Sequence, residues 1–86
     1  MLEKNVLRFT PAGIAVFEGK FRYVGEIYEA GAMRKVEFDF TAVSFAETAV
    51  ELDKILPSAT IELVGFLAPK SMKVQKLIVH ITEFNI

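Results

Sequence analysis

The chain has 86 residues, of which 52% are hydrophobic and 24% charged; it has no cysteine and a formal net charge of −1. This composition excludes a disordered segment, a disulfide framework and a thiolate zinc site, and the length allows one domain with one core. The near-neutral charge by itself argues against a nucleic-acid partner. No apolar run approaches the roughly 20 residues of a membrane span, and the N-terminus lacks a signal peptide's apolar stretch, so we expect a cytoplasmic protein with no membrane partner.

The first two predicted strands are joined by a tight turn. Residues 4–10 form the first strand, and Pro-Ala-Gly at residues 11–13 ends it, because Pro fixes φ and Gly accepts a positive φ. A period-two alternation then predicts a long second strand, in which Gly19 and Gly25 are expected at bulges or bends. After a turn at residues 29–32, the same alternation predicts a third strand with one buried face, formed by Val36, Phe38, Phe40 and Ala42.

A helix is predicted next, followed by two more strands. Apolar residues at helical spacing place the helix at residues 47–56, with Ser44 as N-cap, Glu47 completing a capping box, and Pro57 as the stop. Residues 60–68 and 76–86 are β-prone, and a loop at residues 70–75 separates them.

This order of elements predicts one all-β domain over residues 1–86. It is the order of a five-stranded OB-fold Greek-key barrel with one short helix between the third and fourth strands. OB-folds bind ligands on the second and third strands and in the loops between strands one and two and between strands four and five. Because many functions share a fold, the order of elements does not by itself establish function.

The loop before the fifth strand is the strongest candidate site. Between residues 65 and 82 the only formal charges are Lys70, Lys73 and Lys76, while most acids lie upstream. Three cations without an acid favour contact with the phosphates of a single strand. The alternative is a solvated loop whose lysines protect strand edges.

Other cations and aromatic residues extend this hypothesis onto the sheet. Arg8, Arg22 and Arg34 would continue the cationic track, together with Lys20 and Lys35, unless nearby acids hold them in surface ion pairs. Base stacking is assigned to Phe9 and Tyr23, each beside an arginine, and Tyr28 is a third candidate. The periodicity of the remaining aromatics indicates core positions, namely Phe17, Phe21, Phe38, Phe40 and Phe66. His80, the only histidine, is interpreted as a packed strand residue.

Three stretches of the chain resemble the primosomal replication protein N family. They are LRFTPAGI at residues 7–14, GFLA at residues 65–68 with the lysine loop after it, and VHITEF at residues 79–84. The resemblance implies an OB-fold homodimer that binds single-stranded DNA and passes it between single-strand binding protein, the PriA helicase and helicase-loading proteins. It also implies that the family's basic positions fall on Lys70, Lys73, Lys76, Arg34 and Arg8.

Two departures from that family affect the expectations. Some members have a tryptophan on the third strand where this chain has Glu37, which removes a stacking surface and adds a repulsive charge. The first strand is also expected to be truncated relative to the family, which puts barrel closure and dimerisation in doubt.

The sequence therefore supports two functions of different classes. The first is a non-enzymatic accessory protein of the replication restart primosome that binds single-stranded DNA and uses no cofactor. The second is an OB-fold protein-interaction scaffold with weak or no DNA binding, which the acidic balance and Glu37 favour. One histidine and scattered acids offer no catalytic constellation, so no enzyme activity is expected.

Overall fold

The strands of the protein form one twisted sheet, and its single helix packs against that sheet. The computed structural model describes Met1–Ile86. Its elements in chain order are β1 (Glu3–Lys4), β2 (Arg8–Phe9), β3 (Ala15–Glu29), β4 (Ala32–Phe45), α1 (Ala46–Asp53), β5 (Glu62–Pro69) and β6 (Leu77–Asn85). The order across the sheet is β1-β3-β4-β6-β5, and β2 also pairs with β3. None of the helical structure has the length and apolarity needed to cross a membrane.

The predicted first strand consists of two short pieces. Both β1 and β2 pair antiparallel with β3, through Glu3 opposite Lys20 and Arg8 opposite Val16. After Asn5, whose amide still donates to the Glu18 carbonyl at 2.9 Å, the chain leaves the ladder, and Val6 is 90% exposed. Neither piece pairs with β5 at the other end of the sheet. The mostly β architecture with one short helix between the predicted third and fourth strands is confirmed, but the sheet does not close into a barrel.

A long hairpin of β3 and β4 dominates the molecule. Its ladder is unbroken from Val16 opposite Phe45 to Glu29 opposite Ala32, and the two-residue loop between the strands has positive φ at both positions. A type I′ turn has this conformation and matches the twist of the strands. The hairpin extends beyond the body, so the radius of gyration is 14.3 Å, against about 12 Å for a compact chain of this length.

The predicted bulges at Gly19 and Gly25 are wrong, because both residues lie within the unbroken ladder. At Gly19, a side chain would come within 3.1 Å of the Glu3 carbonyl oxygen, so glycine allows β1 to approach. The irregularity lies instead in the ladder of β5 and β6, where Val64 pairs with Glu83 and Gly65 with Ile81, so that Thr82 of β6 is the extra residue. There a Cβ on Gly65 would collide with the carbonyl of His80, so glycine is required by close backbone approach.

The helix is shorter than predicted and begins differently. It ends at Asp53, before Leu56, which is 72% exposed. Phe45 is the N-cap residue and makes no side-chain capping bond, so the prediction of Ser44 as the N-cap is wrong. The reason is that β4 continues through Ser44, which pairs with Phe17 and is 1% exposed.

The core lies between the helix and one face of the sheet. Phe17 and Phe21 are buried there as predicted, and Phe40 packs against the edge of the cluster. The other buried members are Ala15, Ala42, Ala49, Leu52, Ile55 and Ile81. Phe38 and Phe66 are 49% and 56% exposed, so the prediction that they belong to the core is wrong. Phe38 lies on the hairpin beyond the cover of the helix, and Phe66 lies on the last strand of the sheet.

Candidate nucleic-acid interface

The face of the sheet opposite the core carries most of the predicted cations. Strand β3 places Glu18, Lys20 and Arg22 on this outer face, because alternate residues of a strand share a face. The ladder sets Lys20 opposite Thr41 and Arg22 opposite Asp39 on β4. The outer face therefore mixes cations with acids.

The lysine loop, residues 70–76, folds back on itself beside this face. Its ends are joined by the Lys70 amide, which donates to the Lys76 carbonyl at 3.0 Å. Inside it, the Val74 amide donates to Ser71 Oγ at 3.0 Å, and the Gln75 side-chain amide donates to the Met72 carbonyl at 2.8 Å. These bonds hold the loop in a defined conformation with its lysines outward. Lys73 and Lys76 are exposed and have no ion-pair partner within 4 Å.

Lys76 also faces the sheet across a small groove. A cavity of about 330 Å³ is lined by Lys20, Thr41, Lys76 and Asp39, with apolar residues from β5 and β6. The fold therefore brings a loop lysine and a β3 lysine to one cleft, together with the acid Asp39.

Glu18 links two of the predicted site residues. Its Oε2 lies 3.3 Å from Lys70 Nζ, and its Oε1 lies 3.5 Å from Arg8 Nη2. The Glu18 side chain is only 13% exposed, while Lys70 and Arg8 are 41% and 55% exposed. One largely buried carboxylate thus draws the lysine loop and β2 toward the same point on β3.

The other two arginines are also paired with acids. Arg22 Nε donates to Asp39 Oδ1 at 2.9 Å and lies 3.8 Å from Glu37 Oε1, and Arg34 Nη1 lies 3.2 Å from Glu29 Oε1. The hydrogen bond between Arg22 and Asp39, reinforced by their opposite charges, raises the pKa of Arg22 and lowers the pKa of Asp39. Every arginine of the chain therefore forms an ion pair with an acid, which is the alternative to DNA contact that the sequence left open.

The predicted stacking residues are not brought together. Phe9 is 62% exposed on β2 and pairs with Ala15, while Tyr23 lies eight residues further along β3, about 26 Å away by strand rise. Tyr23 is 41% exposed and packs on Phe38 at a centroid distance of 5.3 Å. Tyr28, 69% exposed, is near the hairpin tip.

Sequence reasoning missed an aromatic cluster on the outer face. Phe66 stacks on His80 at a centroid distance of 5.1 Å, and Phe45 lies on the other side of His80 at 6.4 Å. His80 is a packed strand residue, as predicted. The available signal was the separation of Phe66 in sequence from the other predicted core aromatics, directly after Gly65. No three His, Asp or Glu side chains lie close enough to hold a metal ion.

The comparisons with known proteins first establish a class. Residues 1–83 match the model of a family described as another single-strand binding protein family. A deletion mutant of the single-stranded DNA binding protein from Thermus aquaticus has the same fold, with a TM-score of 0.71 over 98% of this chain and 44% of that one, at 18% identity. The fold is therefore that of single-strand binding proteins, an OB-fold, with the sheet open in this chain.

The relatives then narrow the class to one family. The replication restart protein PriB of Nitrosomonas europaea is 35% identical over 92% of this chain and 73% of its own length. PriB of Bordetella pertussis is 31% identical over 96% of this chain and 78% of its own. The structure of PriB from Ralstonia solanacearum aligns with a TM-score of 0.86 at 37% identity, covering 98% of this chain and 86% of that one. The chain belongs to the PriB family of single-strand binding proteins.

Proposed function

We propose that this protein binds single-stranded DNA as a non-enzymatic accessory protein of replication restart. The observation that carries the proposal is the acid-free loop with Lys73 and Lys76, which opens onto Lys20 at the outer face of the sheet. Single strands bind OB-folds through cations that follow the backbone and aromatic faces that stack on bases. Membership of the PriB family supports the same role.

The DNA path proposed here runs from the lysine loop onto β3. Lys73 and Lys76 form no ion pair within 4 Å and would contact phosphates first. Lys70 and Arg8 would join after leaving Glu18, and Arg22 and Arg34 would contribute less because acids hold them. Binding is therefore expected to be weak and to depend on salt.

The proposal also covers the oligomeric state of the protein and the partners with which it acts. As a homodimer, it would receive single-stranded DNA from single-strand binding protein and act with the PriA helicase and the helicase-loading proteins, in the cytoplasm and without a cofactor. The short β1 and β2 pieces leave backbone groups that a second copy can pair. Light scattering at micromolar concentration should give twice the 9.6 kDa chain mass, and a 9.6 kDa particle would contradict the dimer.

The test of DNA binding is an anisotropy titration of fluorescent oligo-dT at several salt concentrations. With three phosphate contacts at about −0.7 each, the slope of log K against log salt should be about −2 per protomer. Replacing Lys70, Lys73 and Lys76 with Ala should flatten that slope while the fold survives, since exposed changes cost within about 0.5 kcal/mol. Lys54→Ala serves as a control because it removes an exposed, unpaired lysine at the end of α1.

The pairing of all three arginines favours a second candidate, a protein-interaction scaffold with weak or no DNA affinity. The same titration separates the two functions. If the triple lysine variant binds oligo-dT as tightly as the parent, the loop is not the DNA site. If the parent does not bind even at low salt, the scaffold is the better account.

A further inference from the structure

An aromatic stack stands on the outer face of the sheet, next to its β5 edge. The planes of the His80 and Phe66 rings differ by 6°, and those of His80 and Phe45 by 26°. Phe66 and Phe45 are 56% and 48% exposed, whereas His80 between them is partly buried. Three neighbouring rings in roughly parallel planes form a rigid apolar surface that faces solvent.

The strand register shows which end of this stack is open. Phe66 pairs with His80, and His80 pairs with Val43, two residues before Phe45. Phe45 pairs with Val16, which is 5% exposed, so that end of the stack abuts a covered part of the sheet. Because β5 is the last strand, no further strand covers the side of Phe66 that faces away from His80.

Two cations lie beside the stack, and the charged groups of both contact Glu18. Arg8 is in the same cross-strand row as Val16 and Phe45. Lys70 follows β5 directly, four residues after Phe66, and its ammonium reaches Glu18 on the same outer face. Aromatic rings that stack on bases and cations that contact phosphates are the two components of single-strand binding surfaces, and both occur here.

We propose that Phe66, supported by His80 and Phe45, is a stacking site for one base of single-stranded DNA, with Lys70 at the adjacent phosphate. This assignment rests on the proposed function and deepens it. The flanking cations favour an anionic polymer with aromatic groups over a second protein, for which an apolar ring surface alone would suffice. The site also differs from the predicted pair, Phe9 and Tyr23, which lie on separate parts of the sheet.

A fluorescence experiment tests the contact directly. The chain has no tryptophan, so Phe66→Trp introduces a single reporter at an exposed position. Emission should be quenched when oligo-dT is added, because a stacked base quenches an indole. Leu56→Trp, at an exposed position just after α1, is the matched control and should not respond. A Phe66→Trp variant that binds oligo-dT with unchanged emission would overturn the assignment.

An affinity experiment separates stacking from charge. Phe66→Leu should weaken binding of oligo-dT about 5-fold to 150-fold, because stacking on aromatic side chains contributes about 1–3 kcal/mol per base. It should leave binding of an abasic strand of the same length unchanged, while Phe66→Tyr should retain the parent affinity for both strands. Equal affinities of Phe66→Leu and parent for oligo-dT would overturn the stacking site and leave the proposed function intact. A parent that binds neither strand at low salt would overturn both.

Discussion

Removing the negative charge of Glu18 should strengthen DNA binding. In Glu18→Gln the carboxylate that contacts Lys70 and Arg8 is lost, so neither cation must leave an acid before it meets a phosphate. The cations of these pairs are 55% and 41% exposed, and ion pairs at the surface are each worth about 0.2–1 kcal/mol, so two pairs amount to about 0.4–2 kcal/mol, or about 2-fold to 30-fold in affinity. Lys70 already counts among the three phosphate contacts of the parent, so the one additional contact, from Arg8, should steepen the salt slope by about 0.7.

The assay is the oligo-dT anisotropy titration across a salt series, with Glu26→Gln as the matched control. Glu26 lies on the same face of β3, is exposed and has no ion-pair partner within 4 Å, so its replacement changes the net charge equally. The control should tighten binding only slightly and leave the slope unchanged. If Glu18→Gln and Glu26→Gln behave alike, Glu18 does not compete with DNA for Lys70 and Arg8, and the reasoning is refuted.

Three further predictions concern the sheet. Glu37→Trp should tighten oligo-dT binding by about 5-fold or more, because Glu37 is 51% exposed on the outer face and its charge would be replaced by a stacking surface; weaker binding in a folded variant would place the DNA elsewhere. Ser44→Ala should raise the thermal midpoint, since Ser44 Oγ is buried without a hydrogen-bond partner in the protein and leaving such a group unpaired costs about 1–3 kcal/mol; a lowered midpoint would contradict this. The pKa of Asp39 is lowered by Arg22, so the stability that Asp39 contributes is full above the ordinary pKa of 3.8 and is lost as the pH falls through the lowered value. Thermal melts of parent and Asp39→Asn should therefore converge at low pH, and a difference that persists there would contradict the prediction.

The sequence predicted the local elements because each has a local cause. Period-two alternation identified the long strands, and the Ala-Gly pair at residues 30–31 accommodates the positive φ values of the hairpin turn. This loop also fixes the register, since the two residues of every β3–β4 pair then sum to 61. The pairing of Arg22 with Asp39 could therefore have been predicted from the turn alone.

The errors arose where local and tertiary causes compete. The capping-box pattern at Ser44 is real in sequence, but β4 continues through it and buries the hydroxyl opposite Phe17. Alternation indicates which face a residue occupies and not how far the covering helix reaches, so Phe38 was assigned to a core that stops short of it. Phe66 was assigned to the wrong face, because it pairs with His80 on the outer face of the sheet. The contact between Glu18 and Lys70 joins residues 52 apart, and no local pattern indicates it.

The claim that single-stranded DNA binds at the lysine loop and the outer face is tested most directly by mapping amide chemical shifts during an oligo-dT titration. The largest changes should occur at residues 65–76, at Lys20 and at His80, and those residues should saturate together. Residues of α1, which packs on the opposite face of the sheet, should change little. Changes centred on α1, or no changes at low salt, would contradict the account.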